Sequence, residues 1–141
     1  MSSHNVESCV INASLEKVWN ALRSQDFKFW SLVKSVEHAA SPSEVGSVRN
    51  VTFKDGTVQQ YRLLELSEIK HSLTYEIVDS EPAVVFLSAQ HTLQVSPVTA
   101  NNTSFVQWIS DYSYDGAEAA VLDAKYKKLE ALADLAKALE N

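Results

Sequence analysis

Arg49, Tyr61, Tyr75, His91 and Tyr112 carry the polar tips that most need explaining in this chain. A guanidinium, an imidazole and three phenols offer both donors and acceptors. Grouped with the apolar Trp30, Phe53 and Trp108, they have the composition of a small-molecule pocket. Two chemistries follow. In one, Arg49 or His91 orients a single polar group of a bound hydrophobic molecule, and burial supplies most of the affinity. In the other, His91 or a tyrosine moves a proton while Arg49 stabilises an enolate-like oxygen. Each residue also has a plainer role open to it. The tyrosines serve equally as core residues whose hydroxyls find a partner, and His91 as a satisfied core histidine. Trp19 reads as core, and Trp30 as core or pocket rim. A buried Arg49 needs an anion or several acceptors. It either reaches solvent along its stem or meets an oxygen-bearing ligand.

Other chemistries lack their residues. His4, His38, His71 and His91 are scattered and Cys9 stands alone, so no spacing matches a zinc site. There is no Gly-x-Ser-x-Gly elbow, phosphate loop or dinucleotide fingerprint, and no cofactor is expected. The formal net charge is −6 with no basic cluster, which excludes phosphate-backbone binding and hence a nucleic-acid partner. The lone Cys9 forbids an internal disulfide and permits a reducing compartment. Met1 to Glu7 is polar, unlike the apolar core of a secretory signal. No apolar run reaches the length of a membrane span. The expectation is one domain over residues 1–141, cytoplasmic, without integral membrane association, working as a monomer or homodimer.

The elements that must position these residues are legible from periodicity. Alternation predicts strands over 5–11, 32–38, 47–54, 57–67, 72–79, 85–96 and 103–113. Asp55-Gly56 is the clearest hairpin turn. After the first strand, Ser14 caps a helix whose Leu15, Val18, Trp19 and Leu22 form one apolar face. Asp26 to Trp30 reads as a second short helical turn. The chain closes on a long helix from Asp115 to Asn141, with Asp115 and Glu118 as a capping box. Its apolar stripe is Leu122, Tyr126, Leu129, Leu132, Ala133, Ala136 and Leu139, with Lys127, Lys128 and Glu130 off it. About 25 residues at ~1.5 Å each give a rod on the order of 37 Å long. Short connections make the sheet antiparallel, and one of its faces must be buried against that helix. Alternation places Leu87, Ala89, His91, Leu93 and Val95 together, as it does Leu73, Tyr75 and Ile77, and Val106, Trp108, Ser110 and Tyr112.

This order, with Ala13-Ser14 through Val18-Trp19-Asn20-Ala21-Leu22, Phe27 to Trp30, Gly46-Ser47-Val48-Arg49, Asp55-Gly56, Arg62-Leu63-Leu64, Leu73 to Ile77 and Thr103 to Trp108, resembles the Bet v 1-like or START-like superfamily. That superfamily is also called SRPBCC or polyketide cyclase/dehydrase-like. The resemblance implies an α+β helix-grip fold. A curved antiparallel sheet of about seven strands would wrap around the C-terminal helix, with two short helices after strand 1. It also supports placing Arg49, Val51 and Phe53 on the inner face, with Tyr61 and Leu63 on the next strand. The spacing is most similar to the small cyclase-like branch that includes lachrymatory-factor synthases. There, the resemblance implies, the arginine of the Val-Arg pair and an acid just before Arg-Leu-Leu act on the substrate. Here the arginine is Arg49, and Tyr61 stands at the acidic position.

The function expected is binding of a small hydrophobic or amphipathic ligand between sheet and helix, as a carrier or sensor. The ligand-binding residues would be Trp30, Arg49, Phe53, Tyr61, Tyr75, His91, Trp108 and Tyr112. Two alternatives stay open. One is a cofactor-free cyclase, dehydratase or isomerase using Arg49 and His91. The other is an interaction protein with a filled core.

Overall fold

The computed structural model describes residues 2–39, 41–114 and 118–140. Seven strands form one antiparallel sheet: β1 (Ser2–Ile11), β2 (Val33–His38), β3 (Val48–Phe53), β4 (Val58–Ser67), β5 (Ser72–Glu81), β6 (Phe86–Val98) and β7 (Thr103–Tyr114). Strands β2 to β7 follow one another as a meander, and β1 closes the far edge on β7. Among the described residues there are two helices, α1 (Leu15–Arg23) and α2 (Glu118–Leu139). Among the described residues no helix is long and apolar enough to cross a membrane.

Local chemistry accounts for most of this. The Ser14 hydroxyl accepts from the Lys17 N–H and starts α1, which buries Val18, Trp19 and Leu22. Gly56 takes a positive φ of 93° in the β3–β4 turn, where the Asp55 carboxylate accepts from the Thr57 N–H. Bulges in β2, β4, β5 and β6 interrupt the ladders. Each bends its strand and adds twist, so the sheet is curved toward α2.

The core divides in two. The larger part packs α1, Phe27 and Trp30 and the Ala131, Leu132 and Leu135 end of α2 against the sheet. The smaller gathers Ala89, Tyr112 and Tyr114 with Phe86, Ala120, Val121 and Ala124. At its C-terminal end α2 is also tied by polar contacts. Asp134 accepts from the Ser31 N–H and hydroxyl, and Glu140 accepts from the Asn12 N–H.

The structure corrects three expectations. There is one short helix after β1, not two: Gln25 and Phe27 hold φ of 56° and 50°, a left-handed backbone that no helix continues through. Asp26 instead caps a turn by accepting from the Lys28 N–H. Leu87 is not on the inner face. The bulge between Phe86 and Ser88 flips the register, so Phe86 packs inward and Leu87 is 77% exposed. The buried stripe of α2 is also rotated. Leu132, Ala136 and Leu139 face inward as expected, whereas Leu122, Tyr126, Leu129 and Ala133 are exposed and Lys128 is buried. The expected capping residue Asp115 lies outside the described residues.

Candidate functional site

The site begins as one row across the concave face. Cross-strand register sets Ser110 on β7 opposite His91 on β6, and His91 opposite Tyr75 on β5. On β4, Tyr61 pairs with Ile77 across a bulge at Val78 of β5, and its ring stacks on Tyr75 at 4.7 Å. His91 stacks on the other side of Tyr75 at 5.1 Å, and Tyr112 meets the imidazole edge-on at 5.6 Å. His91 Nδ1 and the Ser110 hydroxyl are 2.8 Å apart, which fixes the ring.

Above this row lies a cavity of about 310 Å³. Its floor is Tyr61, Tyr75, His91, Trp108 and Tyr112, and Trp30 walls one side. Its roof is the N-terminal half of α2, where Ala120, Ala124 and Lys128 face inward. Residues 83–85 of the β5–β6 connection and Phe86 at the start of β6 close one end. Exposed Val85, Asp123 and Lys127 also line it, so the cavity reaches the surface beside α2. A smaller cavity of about 180 Å³ adjoins it, sharing Trp30, Gln59 and Lys127 and adding Leu32 and Phe53.

Lys128 dominates the electrostatics. It is only 4% exposed, and its Nζ donates to the Tyr112 hydroxyl at 2.7 Å. Burial lowers its pKa to about 8, and the charge of Glu7 on β1 partly opposes that. Burial, and secondarily the Lys128 charge, pushes His91 down to about 3, so the imidazole is neutral at pH 7. Burial raises Tyr112 to about 12 and lifts Tyr61 and Tyr75 further. All three phenols therefore keep their protons. Tyr61 donates to the Gln59 side-chain oxygen at 3.1 Å. The Trp30 indole N–H is buried without a partner, and the Trp108 indole N–H lies close enough to the Tyr75 hydroxyl to favour its ionised form slightly.

Of the eight residues singled out from the sequence, Trp30, Tyr61, Tyr75, His91, Trp108 and Tyr112 line the larger cavity and Phe53 lines the smaller. Arg49 lines neither. It pairs across the strands with Tyr61, but its Nη2 donates away from the cavity, to the Ser47 hydroxyl at 2.7 Å and the Pro42 carbonyl at 3.5 Å. It does not reach solvent along its stem: it is 1% exposed, with Nε and Nη1 unpaired. Burial lowers its pKa to about 10, so it remains a cation. Sequence reasoning missed Lys128, because large apolar residues elsewhere on α2 drew the stripe away from it. The available signal was the spacing of Ala120, Ala124, Lys128, Ala131 and Leu135, which is itself one helical face.

Residues 4–140 match the family described as polyketide cyclase/dehydrase and lipid transport, and the chain belongs to that family. No protein of curated function matches it. Among solved structures it is similar to a protein from Nitrosospira multiformis, with 26% identity, coverage of 99% of this chain and 97% of that one, and a TM-score of 0.81. A putative uncharacterized protein from Bacillus thuringiensis is 23% identical, with coverage of 96% and 98% and a TM-score of 0.84. The protein XoxI from Bacillus cereus is 23% identical, with coverage of 97% and 95% and a TM-score of 0.81. The two Bacillus likenesses extend to the fold alone.

Proposed function

We propose that this member of the polyketide cyclase/dehydrase and lipid-transport family binds a small, largely apolar molecule between its sheet and α2, as a carrier or sensor. The observation that carries this reading is the 310 Å³ cavity with an aromatic floor and an alanine roof. That volume is at the small end of ligand pockets, which run from about 300 to 1,000 Å³. The apolar body of the ligand would lie against Trp30, Trp108 and the tyrosines. Its polar group would meet Lys128, Tyr112 and His91.

Neither alternative finds equal support. A filled core asks for no enclosed void larger than a few waters, and the 310 Å³ space, open to the surface beside α2, supports a ligand site over that reading. Turnover by Arg49 and His91 asks the two side chains to converge on one space, and Arg49 does not line the cavity. A histidine held at about 3 is also a weak base near neutral pH.

Native mass spectrometry of freshly purified protein, followed by organic extraction, tests the reading. The expected result is a stoichiometric, small, largely apolar passenger. A protein that emerges empty and then takes up none of a panel of aromatic and aliphatic compounds overturns it.

A further inference from the structure

We infer that the molecule bound is a monocarboxylate, seated with its carboxylate on Lys128 and its apolar body along Trp30 and Trp108. The inference rests on the cavity-binding reading above and adds the chemical class of the ligand.

The first argument is an uncompensated cation. Lys128 sits in the roof of the cavity, and among the described residues no carboxylate lies within 4.0 Å of its Nζ. Its hydrogen-bond partner is a neutral phenol, Tyr112. An ammonium carries three N–H donors, and withdrawing it from water costs several kcal/mol unless an anion or several acceptors meet it. Glu7, buried on β1, favours the charged amine through its field without forming an ion pair.

The second argument is the polarity of the lining. The indole N–H of Trp30 is buried and unpaired, and an indole can only donate. Of the acceptors in the lining, the Gln59 side-chain oxygen accepts from Tyr61 and the Asp123 carboxylate pairs with Lys127. The Lys128 ammonium is the buried charged donor of the lining, and an acceptor-only group complements it. A carboxylate has two such oxygens, enough for Lys128 and one further donor.

The third argument limits the charge. Lys127, the other lysine lining the cavity, is at the surface and already paired with Asp123 at 2.9 Å. One buried cation lining the cavity, in a chain of formal net charge −6, suits a monoanion better than a phosphate, which draws on several cations. The volume is equally restrictive, since 310 Å³ admits a short aliphatic or single-ring body.

The experiment uses matched pairs: octanoate with octanamide, 4-phenylbutyrate with 4-phenylbutanamide, and cinnamate with cinnamamide. Each is titrated calorimetrically into the full chain at pH 7, as wild type, Lys128→Met and Lys128→Arg. The expected result is an acid that binds at least 10-fold more tightly than its amide in the wild type. The ratio should fall to about one in Lys128→Met and survive in Lys128→Arg. Amides that bind as tightly as acids overturn the inference and leave cavity binding standing. So does an acid preference that persists in a folded Lys128→Met. If neither acids nor amides bind, the cavity-binding reading fails and takes the inference with it. Should Lys128→Met not fold, the wild-type ratio and Lys128→Arg decide.

Discussion

Lys128 Nζ lies 2.7 Å from the Tyr112 hydroxyl, a contact that joins the middle of α2 to the inner face of β7 across the cavity. The pair does little for stability by itself. A neutral phenol accepts one hydrogen bond from a desolvated ammonium and leaves its charge unbalanced.

Lys128→Met should therefore stabilise the empty protein at pH 7, by roughly 1–3 kcal/mol in urea melts, because it removes that burial cost. The gain should shrink with pH. The folded pKa of about 8 lies below the ordinary 10.5, so between these values the unfolded chain binds more protons. Wild-type stability from this group rises with pH through that window and approaches the variant. Glu7, His91 and Tyr112 face the amine from β1, β6 and β7, so both proteins must be compared across the whole range. A variant weakened by more than about 1 kcal/mol would make Lys128 a structural anchor instead.

Acid should unfold the protein through His91. Its folded pKa of about 3 lies below the ordinary 6.5, so stability falls as pH drops through that interval. The slope reaches about 1.4 kcal/mol per pH unit. Tyr75, Ser110, Tyr112 and Lys128 surround the ring, and none is an acid that would welcome the imidazolium. His91→Gln should flatten the wild-type decline between pH 6 and 4 in thermal melts. An unchanged decline would place the acid sensitivity elsewhere.

Arg49→Met should change ligand affinity by less than about 3-fold, a shift under ~1 kcal/mol. The resemblance to the lachrymatory-factor-synthase branch implies a substrate role for this arginine, whereas its guanidinium here turns to Ser47 and Pro42. A loss of about 10-fold or more in calorimetric titration would return Arg49 to the site.

Ala124→Leu should abolish binding while leaving the fold intact. The position lines the cavity from α2, and leucine is nearly as good a helix former as alanine. Affinity should fall at least 10-fold with a stability change under about 1 kcal/mol. Full affinity in the variant would move the ligand away from this space.

Much of this arrangement is legible in the sequence. Period-two alternation and Asp55-Gly56 give the strands and their pairing, and alternation puts Tyr75, His91, Trp108 and Tyr112 on one face. Three features escape for distinct reasons. The β6 bulge slips the register by one residue, and each side of a slip still alternates perfectly, so Leu87 looks inward. Gln25 and Phe27 adopt left-handed backbone through tertiary contacts, such as the Gln25 amide donating to the Pro42 carbonyl at 2.7 Å, which no propensity records. On α2, hydrophobicity misleads. Leu122, Tyr126 and Leu129 form a plausible stripe, yet a helix over an open cavity needs small inner residues, and alanines fill that role.

The two cavity tryptophans have an optical consequence. Trp30 and Trp108 line the cavity with ring centroids 5.5 Å apart, while the third tryptophan, Trp19, packs from α1 into the closed core. Indole emission follows local polarity and hydrogen bonding. Two of the molecule's three chromophores therefore sit where an occupant would change both, and the third provides an internal baseline. The protein carries its own occupancy meter, and filling can be followed by intrinsic light without a label.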